Sequence, residues 1–319
     1  MVRPALVLPP YPDERWELAK QMGVTDAVIH PLEIGDDKTQ WTYDELRGLQ
    51  NYLEGADLRF SVLEGSVPIS DRIRLGLDGR DEDIEVFKQF LLHCGDLGIP
   101  VVCYDWMAGV RWARTEAHNE LRGGSLATGY DDAKMQGGPA VEAAAKSHED
   151  IFEALAYFLE EVVPVAEDAG VKLGLHPDDP PREELRGVPR VVTSVENYDR
   201  ILDVYDSEYN GVTFCQGNFA AMGADIPEAI RHFGEKINFV HFRDVDGDAD
   251  RFVETWHDDG PTDMHAAMEA YVSAVDDDVP MRPDHVPTMA GEDNSNPGYH
   301  TKGRLWAIGY MRGLLDSLE

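Results

Sequence analysis

Short apolar or β-branched runs alternate along this chain with stretches of helical period. Eight runs read as strands: Ala5–Leu8, Ala27–Ile29, Phe60–Leu63, Pro100–Tyr104, Lys172–Leu175, Gly211–Phe214, Ile237–Val240 and Val279–Arg282. Helical patterns fall between them at Asp13–Met22, Tyr43–Gly55, Glu82–Leu97, Glu149–Ala169 and Gly303–Ser317. In the third of these, Ile84, Phe87, Phe90, Leu91 and His93 share roughly one side, and Gly98 stands just past the end. Pro164 within Glu149–Ala169 predicts a break into two helices, because proline removes a backbone donor and crowds the preceding turn. Strands alternating with helices argue for a parallel sheet, and eight such units argue for closure. The expected fold is an α/β protein, a single (β/α)8 TIM barrel spanning residues 1–319, with no second domain and no internal repeat.

One stretch departs from this alternation. Residues 105–146 show no strand period and are rich in glycine (Gly109, Gly123, Gly124, Gly129, Gly137, Gly138), which predicts an extended active-site loop or lid after the fourth strand.

Composition narrows the class. The chain has 319 residues, 43% of them hydrophobic, enough for one large core. No run of ~18 apolar residues occurs, so no membrane association is expected. The N-terminus lacks the apolar stretch and cleavage pattern of a secretory signal, and a cytoplasmic location is expected. Cys94, Cys103 and Cys215 are odd in number and widely spaced, so they describe no disulfide framework. Cys94 and Cys103 read as small buried hydrophobes. Against 28 basic residues stand 61 acidic ones, a net charge of −33. Such a surface repels nucleic-acid phosphates, so no nucleic-acid partner is expected. Self-repulsion of this size also predicts adaptation to high salt, where ions screen it.

The chemistry is concentrated at strand ends. Leu-Gly-Leu-His176, Val-Thr-Phe-Cys215, Asn-Phe-Val-His241 and Met-Arg-Pro-Asp284 each carry a metal-competent side chain where a buried run gives way to Pro, Gly or polar residues. They lie 39, 26 and 43 residues apart, each interval room for one strand–helix unit with a loop. Four strand ends at one barrel face can converge on one divalent ion. Two imidazoles, a thiolate and a carboxylate would leave coordination positions open for a substrate, whereas a structural site would be closed. Affinity alone does not name the metal, since Zn²⁺ outcompetes Mn²⁺ and Fe²⁺ at most such sites.

At these residues the chain resembles the mannonate dehydratase family, whose members remove water from D-mannonate to give 2-keto-3-deoxy-D-gluconate. The matching segments include Trp112-Ala-Arg-Thr115, His176-Pro-Asp-Asp-Pro-Pro181, Thr213-Phe-Cys-Gln-Gly217, Glu254-Thr-Trp-His257, Arg282-Pro-Asp-His285 and Asn296-Pro-Gly-Tyr299, in the family's order from about residue 60 onward. The resemblance implies a xylose-isomerase-like barrel, Mn²⁺ or Fe²⁺ as cofactor at one ion per chain, and His176, Cys215, His241 and Asp284 as its ligands. It also places His285 and Tyr299 in the active site. Three departures stand out: Ala113 replaces a usual Thr, Val286 replaces a common Gly, and the segment after Thr115 lacks a long insertion.

Dehydrating a sugar acid requires a base for the weakly acidic proton beside the carboxylate and an acid for the departing hydroxide. His285, next to Asp284, and Tyr299 are the expected pair, with the phenol pKa expected to be lowered by the cation. Arg114, Arg243 and Arg304 are candidates for the substrate carboxylate, Arg114 foremost, because a guanidinium fork matches a carboxylate. His257 and Asp263 are candidates for the sugar hydroxyls, and Asp178 and Asp179 for orienting the metal ligands. The expected partner is a small-molecule sugar acid; a homo-oligomer is left open. Two other readings compete: a divalent-metal sugar isomerase or epimerase on the same barrel, and a barrel that binds a sugar acid without turnover.

Overall fold

The computed structural model describes residues 1–30, 41–65, 67–135, 137 and 145–318. From the N-terminus, β1 (Arg3–Leu8), α1 (Glu14–Gln21), β2 (Asp26–Ile29), α2 (Tyr43–Gly55), β3 (Arg59–Glu64), α3 (Asp71–Arg74), α4 (Arg80–Asp96) and β4 (Val101–Asp105) form the first half-barrel. Two excursion strands follow, β5 (Glu116–Glu120) and β6 (Leu126–Asp131), then α5 (His148–Ala169) and β7 (Lys172–His176). After a two-residue ribbon, β8 (Glu184–Leu185) and β9 (Val188–Pro189), come α6 (Val195–Leu202), β10 (Asn210–Cys215), α7 (Gln216–Ala221), α8 (Ile226–Phe233) and β11 (Ile237–Phe242). The chain ends with β12 (Val245–Gly247), β13 (Arg251–Glu254), α9 (Met264–Ala274), β14 (Pro280–Pro283) and α10 (Thr301–Asp316).

Eight of these strands close a parallel barrel in the order β1-β14-β11-β10-β7-β4-β3-β2. Its interior is filled by Ala5, Val28, Val62, Val101, Cys103 and Phe239, all buried. A larger apolar layer, including Phe87, Leu91, Phe158, Leu159 and Val163, seals the helices onto the barrel's outside. Each such side chain contributes roughly 1.5–3 kcal/mol on burial. Cys94 and Cys103 are buried free thiols within these layers, and Cys94, rather than His93, joins the buried face of α4.

Local signals set the helix ends. Thr42 and Glu45 form a capping box at α2, Ser147 and Asp150 another at α5, so orphan backbone donors are satisfied reciprocally. Gly170 closes α5 at φ 67°, a left-handed conformation that only glycine adopts without cost.

Two expectations are corrected. Pro164 does not break its helix: α5 is continuous from His148 to Ala169. An interior proline costs ~3 kcal/mol, but Val162, Val163 and Ala166 around it are fully buried against the barrel, and that packing outweighs the lost hydrogen bond. Residues 105–146 are not strandless either. β5 and β6 pair antiparallel and extend through β13 to β12 as a four-stranded sheet. β5 is a polar edge strand, and β6 buries Ala127, Thr128, Gly129 and Tyr130 in succession, so neither shows the alternation that betrays a strand. Residues 136 and 138–144 of the expected lid lie outside the described residues. Among the described residues no helix is long and apolar enough to cross a membrane.

Candidate active site and metal centre

The barrel's register carries the ligand candidates to one level. Cys215, the last residue of β10, is the lateral partner of His241 on β11, and His241 is that of Arg282 on β14. His176 closes β7 beside Asp105 of β4, and Asp284 follows β14 directly. Parallel strands ending in step therefore present these side chains at the same mouth, over a cavity of about 180 Å³. His176, His241 and Asp284 line it with His30, Glu64, Asp105, Trp112, Asp179 and Tyr299.

Donor atoms of His176, Cys215 and His241 all lie within 4.8 Å of one another. His176 Nδ1 is 2.7 Å from the Pro177 carbonyl, so it carries the proton and leaves Nε2 with a lone pair for a metal. His241 Nε2 is buried and makes no aligned hydrogen bond, although Glu64 Oε1 is 3.1 Å away. An orphaned imidazole nitrogen beside a buried sulfur and a second imidazole fits a borderline divalent ion. Asp284 stands just outside this trio, its Oδ2 3.7 Å from Cys215 Sγ and 3.8 Å from His241 Nδ1. Burial alone would raise its pKa, but His285, Arg282, His241 and Arg243 together hold the carboxyl well below its ordinary range. Glu64, Cys103 and His241 make a second cluster of ligand atoms. It is the poorer one: burial first, and then the Glu64 charge, push the Cys103 thiol well up, keeping it protonated.

Beside the trio runs a chain of short contacts. Glu254 Oε1 is 2.7 Å from His285 Nδ1, and His285 Nε2 is 2.7 Å from the Tyr299 hydroxyl. The carboxylate accepts from Nδ1–H, which leaves Nε2 as the acceptor for the phenol O–H. Burial opposes ionisation of Glu254, but Arg243, His285 and Arg114 overcome it and keep the group a carboxylate. For Tyr299, burial first and the Asp284 charge second push the phenol well above its ordinary range. The protein's own groups thus act opposite to the lowering expected from the cation.

Three buried arginines stitch these carboxylates together. Arg114 contacts Asp179 at 2.5 Å and Glu254 at 2.6 Å. Arg243 contacts Glu254 at 2.9 Å, Asp179 at 3.2 Å and Asp284 at 2.8 Å. Its Nε is nevertheless poorly aligned on Asp284 for a hydrogen bond. Arg282 grips Glu64 at 2.6 Å and Asp284 at 2.7 Å.

Other expectations are revised by position. Asp263 is an exposed N-cap that accepts from His265 N and Ala266 N at the start of α9, so its oxygens serve the helix rather than the cavity. His257 is fully buried with Nε2 2.8 Å from the Phe242 carbonyl, and burial drops its pKa to about 4, so it is a neutral packing residue behind the wall. Asp178 pairs with Arg190 and the Val192 amide, fixing the loop after His176 without touching a ligand candidate. Asp179 reaches Asp284 through Arg243. Glu64, Asp105 and Glu254 were not singled out from the sequence. Glu64 and Asp105 end β3 and β4, so the strand-end signal that exposed His176 and Cys215 applied to them as well.

A closed parallel barrel with two imidazoles and a cysteine sulfur clustered at one mouth, beside a hydrogen-bonded His–Tyr pair, defines a metal-competent barrel protein. The fold is shared with a xylose isomerase domain protein from Planctomyces limnophilus, at TM-score 0.62 and 13% identity over 99% of this chain and 97% of that one. Likeness is far greater to the crystal structure of mannonate dehydratase from Streptococcus suis serotype 2: TM-score 0.90, 31% identity, 99% of this chain and 95% of that one. The family model D-mannonate dehydratase (UxuA) matches residues 15–147 and 140–319. Mannonate dehydratase 2 of Halalkalibacterium halodurans is 34% identical over 328 residues, covering 93% of this chain and 92% of that protein. The chain belongs to the D-mannonate dehydratase family.

Proposed function

We propose that this protein is a hydro-lyase that removes water from D-mannonate to give 2-keto-3-deoxy-D-gluconate, with one Mn²⁺ or Fe²⁺ held by His176, Cys215, His241 and Asp284. The carrying observation is that His285 and Tyr299, the last two members of a Glu254–His285–Tyr299 chain with both links at 2.7 Å, line the same cavity as His176 and His241, whose donor atoms cluster with Cys215. A divalent ion bound there would supply Lewis-acid stabilisation of the charge that develops beside the substrate carboxylate.

The chain's own residues do the rest. The Tyr299 O–H turns from His285 Nε2 to the departing hydroxyl and gives it a proton, and the freed Nε2, oriented by Glu254, takes the proton from the carbon next to the carboxylate. Arg243 and Arg282 help to keep Asp284 ionised, and Asp179 holds Arg243 in place beside it. The β5–β6 excursion and Trp112 form a lid over the mouth; Trp112 meets the His285 ring edge-on at 5.5 Å and remains 40% exposed. The −33 charge suits a salt-rich cytoplasm.

The test is an assay of metal-loaded protein with D-mannonate at high salt. Appearance of the 2-keto-3-deoxy acid with either ion supports the reading. Interconversion of aldose and ketose without loss of water, or binding without turnover, would replace it.

A further inference from the structure

A sugar acid brings a full negative charge into a site already crowded with carboxylates, so some cation must meet it. Arg114, Arg243 and Arg282 are each committed to two or more carboxylates. A guanidinium so occupied has little left to offer an incoming anion. Arg304 differs. It is 7% exposed, its Nε has no hydrogen-bond partner, and among the described residues the one hydrogen bond of its guanidinium is a long 3.5 Å contact to the Val7 carbonyl. Among the described residues no carboxylate lies in ion-pair contact with it.

Arg304 lines a second cavity, of about 400 Å³, whose walls also include Leu8, Arg15, Asn296, His30 and Tyr299. His30 and Tyr299 line the catalytic cavity too, so the two spaces adjoin at these side chains. The Arg304 guanidinium carbon sits 5.2 Å from the Tyr299 ring centre, on the ring whose hydroxyl touches His285. The other cation here, Arg15, is neutralised by Asp13 at 2.5 Å.

We propose that Arg304 receives the carboxylate of the sugar acid, setting the chain of the substrate across Tyr299 with the acidic carbon facing His285. The identity of the ligand rests on the dehydratase reading; the anion site rests on Arg304 itself. Burial, followed by repulsion from Arg282, already pulls the Arg304 pKa down to about 10, a penalty that an incoming carboxylate would relieve. The assignment also replaces Arg114, the foremost candidate from sequence, with a residue whose charge is free.

The experiment compares binding of D-gluconate, an anionic hexonate, with that of neutral D-sorbitol to metal-loaded protein by calorimetry. Wild type should prefer the anion. Arg304→Gln should lose roughly 10- to 100-fold in D-gluconate affinity, the worth of a charge-assisted hydrogen bond, and leave D-sorbitol binding unchanged. Arg304→Lys should recover part of the loss, and it carries the test should the glutamine variant fail to fold. Undiminished D-gluconate affinity in either variant, equal losses for both ligands, or no preference in wild type would overturn the proposal. A wild type that discriminates the anion yet makes no product from D-mannonate would sink the dehydratase reading and leave the Arg304 site standing.

Discussion

His285 Nε2 lies 2.7 Å from the Tyr299 hydroxyl, joining a residue just beyond β14 to one at the foot of α10 across fourteen positions of loop. Glu254 fixes the imidazole from the other side. The pair is therefore set before any substrate arrives, and its parts can be separated by mutation.

Tyr299→Phe removes the phenol proton and keeps the ring. We expect kcat for D-mannonate to fall by roughly 10²- to 10⁴-fold, the usual worth of a positioned acid or base. Metal content, measured by mass spectrometry of the purified protein, should be unchanged. A variant within threefold of wild-type kcat would remove Tyr299 from proton transfer.

Cys215→Ala deletes the one sulfur in the trio of ligand atoms. The expected outcome is protein that is purified with well under one metal ion per chain and loses activity in step, because ligand loss weakens the ion's whole shell. Retained stoichiometry would show that the ion is held elsewhere.

Glu254→Gln strips a buried charge from Arg114, Arg243 and His285 at once. Breaking a buried pair by removing one partner costs about 3–5 kcal/mol, so the urea midpoint should drop clearly. The pH–rate profile should shift as well, since the His285 tautomer is no longer imposed. A variant as stable as wild type would mean that the arginines find other partners.

His257 links stability to pH. Its pKa in the fold is about 4, against 6.5 for the free side chain, chiefly through burial. The unfolded chain thus binds an extra proton between these values, so this contribution is present in full above pH 6.5 and is lost as pH falls toward 4. The shift corresponds to a loss of about 3 kcal/mol as pH falls from 6.5 to 4. Urea unfolding at a series of pH values should show that loss in wild type and a smaller one in His257→Asn. Identical slopes would assign the acid sensitivity to other groups.

The surface charge of −33 should make stability depend on screening. Thermal unfolding in KCl rising from 0.1 to 2 M should move steadily upward, with most of the change below the concentration at which screening saturates. A flat or falling trend would contradict adaptation to salt.

Much of the barrel was legible in sequence because its strands are buried on both faces and read as short apolar runs, such as Val101-Val-Cys-Tyr and Ala27-Val-Ile. The antiparallel sheet over the mouth was not. β5 is polar and exposed along one side, and β12 offers only three residues, so neither leaves a periodic trace. Pro164 misled for a related reason: propensity is local, whereas the apolar face that holds α5 together is set by the barrel beneath it.

The amino-acid order by itself determined which side chains end the strands, and with them His176, Cys215, His241, Asp284 and His285 as a set. It also determined the net charge of −33. Only the tertiary structure decided which charges are spent on one another. Arg114 and Arg304 look alike in sequence, yet one is clamped between Asp179 and Glu254 while the other has no carboxylate partner among the described residues. Pairing at 3 Å depends on where loops from β7, β13 and β14 meet in space, and no spacing along the chain encodes that distance.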